Sequence, residues 1–320
     1  MTQNFGQFTV ISIGDLVADL IVSIPQLPVE ADVHQLVRQF RLEPGGAGNF
    51  LIAGTRLGMK MLAFGSIGDD TFGSAAMDIL TEEGVDTCGV IVQSDTGSTT
   101  VIVLVDDAGQ HVFLGGYGEG PSIQLPKSWI NKLSESQAVF ACGYTLQEKR
   151  LADAALEAMA LAHQAGIPVF FDPGPEMQNA TSEQISSVLE SSDVILLTEE
   201  EIPLIMGGGE GVDGAAGILT YGPHLVCIKR GPEGCVILSD NTAIQHPGFP
   251  VTKRDTTAAG DSFAAAFIFA YLQEWSLDKV AAFSNAMGAA KVRKVGSGRQ
   301  VPTADEVRSI LNRYDVDIEY

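Results

Sequence analysis

Short runs of β-branched and aromatic residues alternate with longer segments of helical period, and this alternation constrains the fold more than any other feature of the chain. Residues 8–14, Phe-Thr-Val-Ile-Ser-Ile-Gly, read as a buried strand, and residues 61–67, 137–142, 168–172, 193–197 and 224–229 repeat the signal. Between them lie stretches of helical spacing, first residues 71–83, then Leu151, Ala154, Ala155, Ala158, Leu161 and Ala162 on one face, closed by Gly166 and Pro168. Glycine past a helix end and proline beyond it are stop signals. Strands apolar on both sides, each followed by a helix, are what a parallel sheet covered on both faces requires. The expected class is therefore α/β, with a mainly parallel central sheet between two helical layers.

Two stretches break the alternation, residues 19–43 and 98–114. In the second, Val-Ile-Val-Leu-Val-Asp-Asp-Ala-Gly-Gln-His-Val-Phe-Leu (101–114) reads as two strands around an Asp-Ala-Gly turn. Strands without intervening helices predict a small second sheet, made from two excursions of the main domain and suited to act as a lid over a cleft. Its segments 101–105 and 111–114 are more apolar than a sheet with one wet face needs, which predicts a homodimer formed through the lid. With no repeat and no low-complexity linker, residues 1–320 are read as a single domain.

Composition removes several function classes. At 45% apolar and 18% charged residues the chain is globular and not disordered. Its 19 basic against 40 acidic residues leave a formal charge of −21, which repels nucleic acid and anionic lipid. Cys88, Cys142, Cys227 and Cys235 are dispersed without metal or redox spacing, and the last three fall in strand-like runs, as small buried hydrophobes do. The N-terminal residues lack a basic and apolar leader, and no run of about 18 apolar residues occurs, so a soluble cytoplasmic protein is expected.

The segment richest in chemistry is Asp255-Thr-Thr-Ala-Ala-Gly-Asp-Ser-Phe263, which runs into an apolar helical face of Phe263, Ala266, Phe267, Ala270 and Tyr271. Ala258, Ala259 and Gly260 thus sit at a helix start, where N–H groups lack carbonyl partners and small side chains admit a phosphate. Asp261, in the first turn, is placed either to take a proton from a hydroxyl attacking that phosphate or simply to favour the helix dipole.

This segment resembles the C-terminal signature of the ribokinase-like (PfkB) kinase family, Asp-Thr-x-[Gly/Ala]-Ala-Gly-Asp-x-Phe, at nine consecutive positions. The resemblance implies a three-layer α/β/α kinase using ATP and Mg2+, transferring the γ-phosphoryl group to a sugar or nucleoside hydroxyl, with Asp261 as base. It also implies that Asp255 organises the site and, in some members, a monovalent cation such as K+. Pro44-Gly-Gly-Ala-Gly-Asn49, read as a turn before a helix, resembles the family's second signature. Residues 65–73 follow it with the family's Gly-x-x-Gly-x-Asp-x-x-Gly spacing. Gly45, Gly46 and Asn49 are accordingly expected at the substrate, as are Asp15 and Asp19, taken to lie at the carboxyl edge of the first strand. Carboxylates that accept hydroxyl protons suit a neutral polyol. The family's Asn-x-x-Glu motif falls at residues 198–201, with Thr198 in place of Asn and Glu201 kept for Mg2+; three acids at a helix start equally make a cap. Lys229 or Arg230, Gly231 and Gly234 match a loop bordering the nucleotide, Asn285 matches a position near adenine, and Gly296-Ser-Gly298 matches the loop after it. The replacement at Thr198 also admits a regulatory protein that binds a sugar or nucleoside without turnover.

Overall fold

The computed structural model describes residues 8–320. In chain order, β1 (Thr9–Ile13) passes through a two-residue bend into β2 (Leu16–Ser23), and a long loop leads to β3 (Gln39–Gly46). There follow α1 (Ala47–Arg56), β4 (Lys60–Gly68), α2 (Thr71–Glu82), β5 (Asp86–Gln93), β6 (Thr100–Val105) and β7 (His111–Gly116). Next come α3 (Lys127–Leu133), β8 (Ala138–Cys142), α4 (Gly143–Gln147), α5 (Ala152–Gln164), β9 (Val169–Asp172), α6 (Ser182–Ser191) and β10 (Val194–Thr198). The chain closes with α7 (Ile202–Met206), α8 (Gly211–Ile218), β11 (Leu225–Lys229), β12 (Cys235–Ser239), β13 (Thr242–His246), α9 (Ala259–Leu272), α10 (Leu277–Lys291) and α11 (Ala304–Arg313).

Nine strands form the main sheet in the order β13-β12-β11-β10-β9-β8-β1-β4-β5, parallel from β5 to β11 and ending in an antiparallel edge. Alternate residues of each inner strand go to opposite faces, as the two-residue period requires. Val10, Phe140, Phe170 and Leu196 pack with α1, α9 and α10, whereas Ile11, Val139, Phe171 and Leu197 join the core under α3 and α5. The expected α/β class and its three layers are thus present. The chain moves from β1 to β4 and β5 on one side and later fills the other side from β8 onward, so strand order reverses at β1. Crevices at such a reversal, outside the strands' carboxyl ends, are where open α/β sheets bind ligands.

The second sheet has the order β3-β2-β6-β7 and is built from the two excursions. On one face Ile21, Val103 and Val105 pack with Val101 and Val295. On the other, Ile102 stands between Leu20 and Leu114, and Val22 pairs with Phe40; Ile102, Leu114 and Phe40 are exposed.

Three sequence readings are corrected here. Asp19 lies within β2 and so belongs to the small sheet, not to the edge of the first strand. Pro44, Gly45 and Gly46 are the last residues of β3 and not a turn. Because β3 is an edge strand, the N–H missing from Pro44 interrupts no second ladder. Cys142 is only half-buried, while Cys227 and Cys235 are core residues; none of the four cysteines is bridged. No helix among the described residues is long and apolar enough to cross a membrane.

Candidate active site

Helix α9 begins at the reversal crevice. Its N-cap, Ala258, has φ +60°, a left-handed conformation that costs an L-residue about 1–2 kcal/mol. Asp255 holds that turn. One carboxylate oxygen accepts from the Thr257 N–H and hydroxyl at 2.9 and 2.8 Å, the other from the Gly296 N–H at 2.7 Å. Burial works to raise its pKa, but these donors and the Lys291 charge outweigh it and keep Asp255 below its ordinary value. The Ala259 N–H is used on the Thr256 carbonyl, whereas those of Gly260 and Asp261 have no partner among the described residues. Two free N–H groups at the positive end of a helix can bind an anion.

Asp261 accepts a hydrogen bond of 3.0 Å from the Asn49 amide, whose own oxygen accepts from the Gly298 N–H at 2.7 Å. Desolvation and the nearby Asp172 push the Asp261 pKa up to about 7, against the Asn49 bond and the Lys229 charge. A carboxylate at that value exchanges protons readily near neutral pH. Beside it, the Lys229 ammonium donates to Asp172 at 2.6 Å. A Cβ on Gly260 would stand 3.6 Å from that ammonium and 3.9 Å from the Asp172 carboxylate, so α9 begins against the ion pair.

Toward the small sheet, Asp19 accepts from the Ser297 hydroxyl at 2.6 Å, and burial with the facing Glu43 raises its pKa to about 6. Its carboxylate occupies the space a side chain at position 45 would need: a Cβ on Gly45 would lie 2.2–2.4 Å from it. Glu43 pairs with Arg299 at 3.0 Å. Asp15 is only 3% exposed, and neither of its oxygens has a hydrogen-bond partner. Burial and the neighbouring Glu148 raise its pKa to about 7. Glu148 is itself locked to the buried Arg150 at 2.8 Å. The crevice therefore has a turn with two free N–H groups and a raised carboxylate on one side and buried acceptors under the small sheet on the other.

Residues 7–304 match the pfkB family carbohydrate kinase profile. The chain belongs to the PfkB family of carbohydrate kinases. It is 31% identical over 309 residues to an ATP-dependent ribose-1-phosphate kinase of Halopiger xanaduensis, covering 96% of this chain and 99% of that one. It is 28% identical over 331 residues to fructokinase-1 of Zea mays, with the same coverage of both chains. The fold is shared with the Arabidopsis thaliana ribokinase solved with ribose and ATP, at a TM-score of 0.82 and 22% identity over 96% of this chain and 99% of that one. An E. coli protein of the same fold, solved with ATP and Mg2+, gives a TM-score of 0.82 at 23% identity, with the same coverage.

Within this PfkB chain the residues expected at the nucleotide fall into two groups. Thr198, Glu201 and Lys229 stand at the carboxyl ends of β10 and β11 with Asp172. Glu201 caps its turn by accepting from the Thr198 N–H at 2.7 Å, as the capping alternative foresaw. Desolvation and Asp172 raise its pKa, with Lys229 opposing. Gly234 and Asn285 gather instead around residues 246–248. Asn285 is buried and donates to His246 and Pro247, while a Cβ on Gly234 would meet the His246 carbonyl. Gly231, at φ +54°, has open space beside it. Arg230 turns away to Glu199 and Glu233. The Gly296–Gly298 loop binds Asp255, Asp19 and Asn49.

Asp172, Glu43 and Glu148 were missed by sequence reasoning, and Ser297 was read only as part of the loop after Asn285. Only Asp172 carried a local signal, an acid ending a parallel strand. No group of three or more His, Cys, Asp or Glu side chains among the described residues forms a ready metal cage. The oxygen chemistry of Glu201 suits Mg2+ held through water and nucleotide phosphates, which is the usual habit of that ion.

Proposed function

We propose that this PfkB chain transfers the γ-phosphoryl group of ATP to a hydroxyl of a neutral sugar or nucleoside, with Asp261 as the base. The observation that carries the reading is the start of α9. There a carboxylate with a pKa of about 7 is aimed by Asn49 and stands beside two partnerless N–H groups at a left-handed turn. Asp261 takes the proton of the attacking hydroxyl while the Gly260 and Asp261 N–H groups receive charge on the transferred phosphoryl group. Lys229, paired with Asp172, lies near enough to Gly260 to neutralise phosphate charge. Glu201 would hold Mg2+ through water together with the nucleotide, and the ion would supply further neutralisation of phosphate charge.

Asp19 and Asp15 are read as the acceptors of substrate hydroxyls. The unpartnered oxygens of Asp15 favour this, since a buried acceptor without a donor is costly until a ligand supplies one. The most similar named relative cited above carries a sugar phosphate in its name, so a phosphorylated pentose stands beside the neutral candidates. The test is ADP release with Mg-ATP across ribose, fructose, inositol, adenosine, other nucleosides and ribose 1-phosphate. Turnover on a neutral compound is expected; turnover on ribose 1-phosphate alone would overturn the neutral-substrate reading, and none at all would overturn the kinase reading.

A further inference from the structure

Lys291 closes α10 inside the protein. Its side chain is 0% exposed, and its ammonium makes one hydrogen bond, to the Lys294 carbonyl at 3.4 Å, with no carboxylate close enough for an ion pair among the described residues. An ammonium has three donors and a heavy desolvation cost, so one long hydrogen bond leaves it under-compensated. A cation in the last turn of a helix does complement the dipole, but that effect works at the surface and does not call for full burial.

What surrounds Lys291 supplies a reason. The Val292 carbonyl accepts from the N–H groups of Arg254 and Asp255 at 2.7 and 3.2 Å, and Gly296 donates to Asp255, so the two backbone segments close together next to the lysine. Of the groups acting on the ammonium, burial lowers its pKa to about 8, Asp255 and Asp261 oppose that, and Lys294 adds to it. Asp255 is the acid that shapes the Ala258 turn, and three donors already occupy its two oxygens. The family resemblance implies a monovalent cation in this region in some members. The residues here do not fit one, because the Lys291 ammonium already lies against the segment paired with Asp255, and the oxygens of that acid are satisfied.

We propose that Lys291 is a built-in cation, bracing the backbone that carries Asp255 and so holding the phosphate-binding turn in place, so that this kinase works without a monovalent metal ion. Lys291 is thereby a positioning residue acting through Asp255. The proposal rests on the kinase reading for its rate measurements and is independent of it for binding and melting.

The experiment compares wild type and Lys291→Met in buffers whose sole monovalent cation is K+, Na+ or N-methylglucamine. It records initial rates on the best panel substrate, binding of a non-hydrolysable ATP analogue, and melting temperature. Wild type is expected to show the same rate, affinity and melting temperature in all three, within about twofold for the first two. In N-methylglucamine the variant is expected to lose at least about tenfold in kcat/KM and in analogue affinity, with the sugar KM little changed. Stimulation of wild type by K+ of about fivefold or more, in rate or in analogue affinity, would overturn the proposal whether or not the variant folds. So would a variant that keeps wild-type rate and affinity in N-methylglucamine. Absence of turnover on every compound would defeat the kinase reading and leave the affinity and melting comparison to decide this one.

Discussion

Four acids in the crevice differ in what they are bonded to, and their chemistry follows from that difference. Asp255, with three donors, stays below its ordinary pKa, while Asp261 and Asp19 have one donor each and rise to about 7 and about 6. Asp15 has no hydrogen-bond partner and rises to about 7, facing Glu148, Thr99 and Arg150. A carboxyl whose folded pKa exceeds its unfolded one adds stability that is fully present below the unfolded value and is lost as pH rises through the folded value. For Asp15 that window runs from 3.8 to about 7. Asp15→Asn is therefore expected to melt a few degrees above wild type at pH 8, with the gap closing toward pH 4; a variant less stable than wild type at pH 8 would contradict the buried charge. If Asp19 accepts substrate hydroxyls as proposed, Asp19→Ala removes a bond to a charged group worth about 1.5–3 kcal/mol. Its sugar KM should rise roughly 10- to 100-fold while the ATP KM holds within about twofold. An equal loss of ATP affinity would place Asp19 elsewhere.

At the level of elements, the start of α9 and the outer face of the small sheet carry the clearest consequences. Ala258 holds φ +60°. A β-branched side chain tolerates that region worse than alanine, so Ala258→Val should destabilise by at least about 1 kcal/mol and depress activity, whereas Ala258→Gly should fold as well as wild type. Equal melting of the valine variant would show that the turn is not constrained. The row Leu20, Ile102 and Leu114, with Phe40 at 62% exposure, is an apolar sheet face that a second copy of the chain would cover. Light scattering at micromolar protein should give the mass of a dimer, and a monomer mass would remove the idea. The central strands were legible because they are apolar on both sides, but β3 was not. Its Pro-Gly-Gly end reads as a turn, and only the fold shows that the proline sits on a sheet edge and that Gly45 leaves room for Asp19.

For the molecule as a whole, the site is assembled from segments that spacing alone cannot join. Asn49 meets Asp261 across 212 residues, and Asp19 meets Ser297 across 278. The motifs holding Asp261 and Asn49 were legible because each is compact, and their union was supplied by family resemblance and not by residue pattern. Glu43 and Lys291 stayed unread because their roles come from neighbours distant in sequence, and Asp172 showed only its place at the end of a parallel strand. Together these groups give a strongly acidic protein a crevice where free N–H groups and Lys229 lie beside Asp261, a carboxylate of raised pKa. That convergence on Asp261 is most directly tested by kcat of Asp261→Asn on the best panel substrate. Asparagine keeps the size and suits a helix start, so folding and nucleotide binding should persist. With Asp261 as the base, kcat should fall roughly 10²- to 10⁴-fold, the usual worth of general-base catalysis. A variant that kept more than about a tenth of the wild-type kcat would mean that the proton leaves by another route and that Asp261 is not the base.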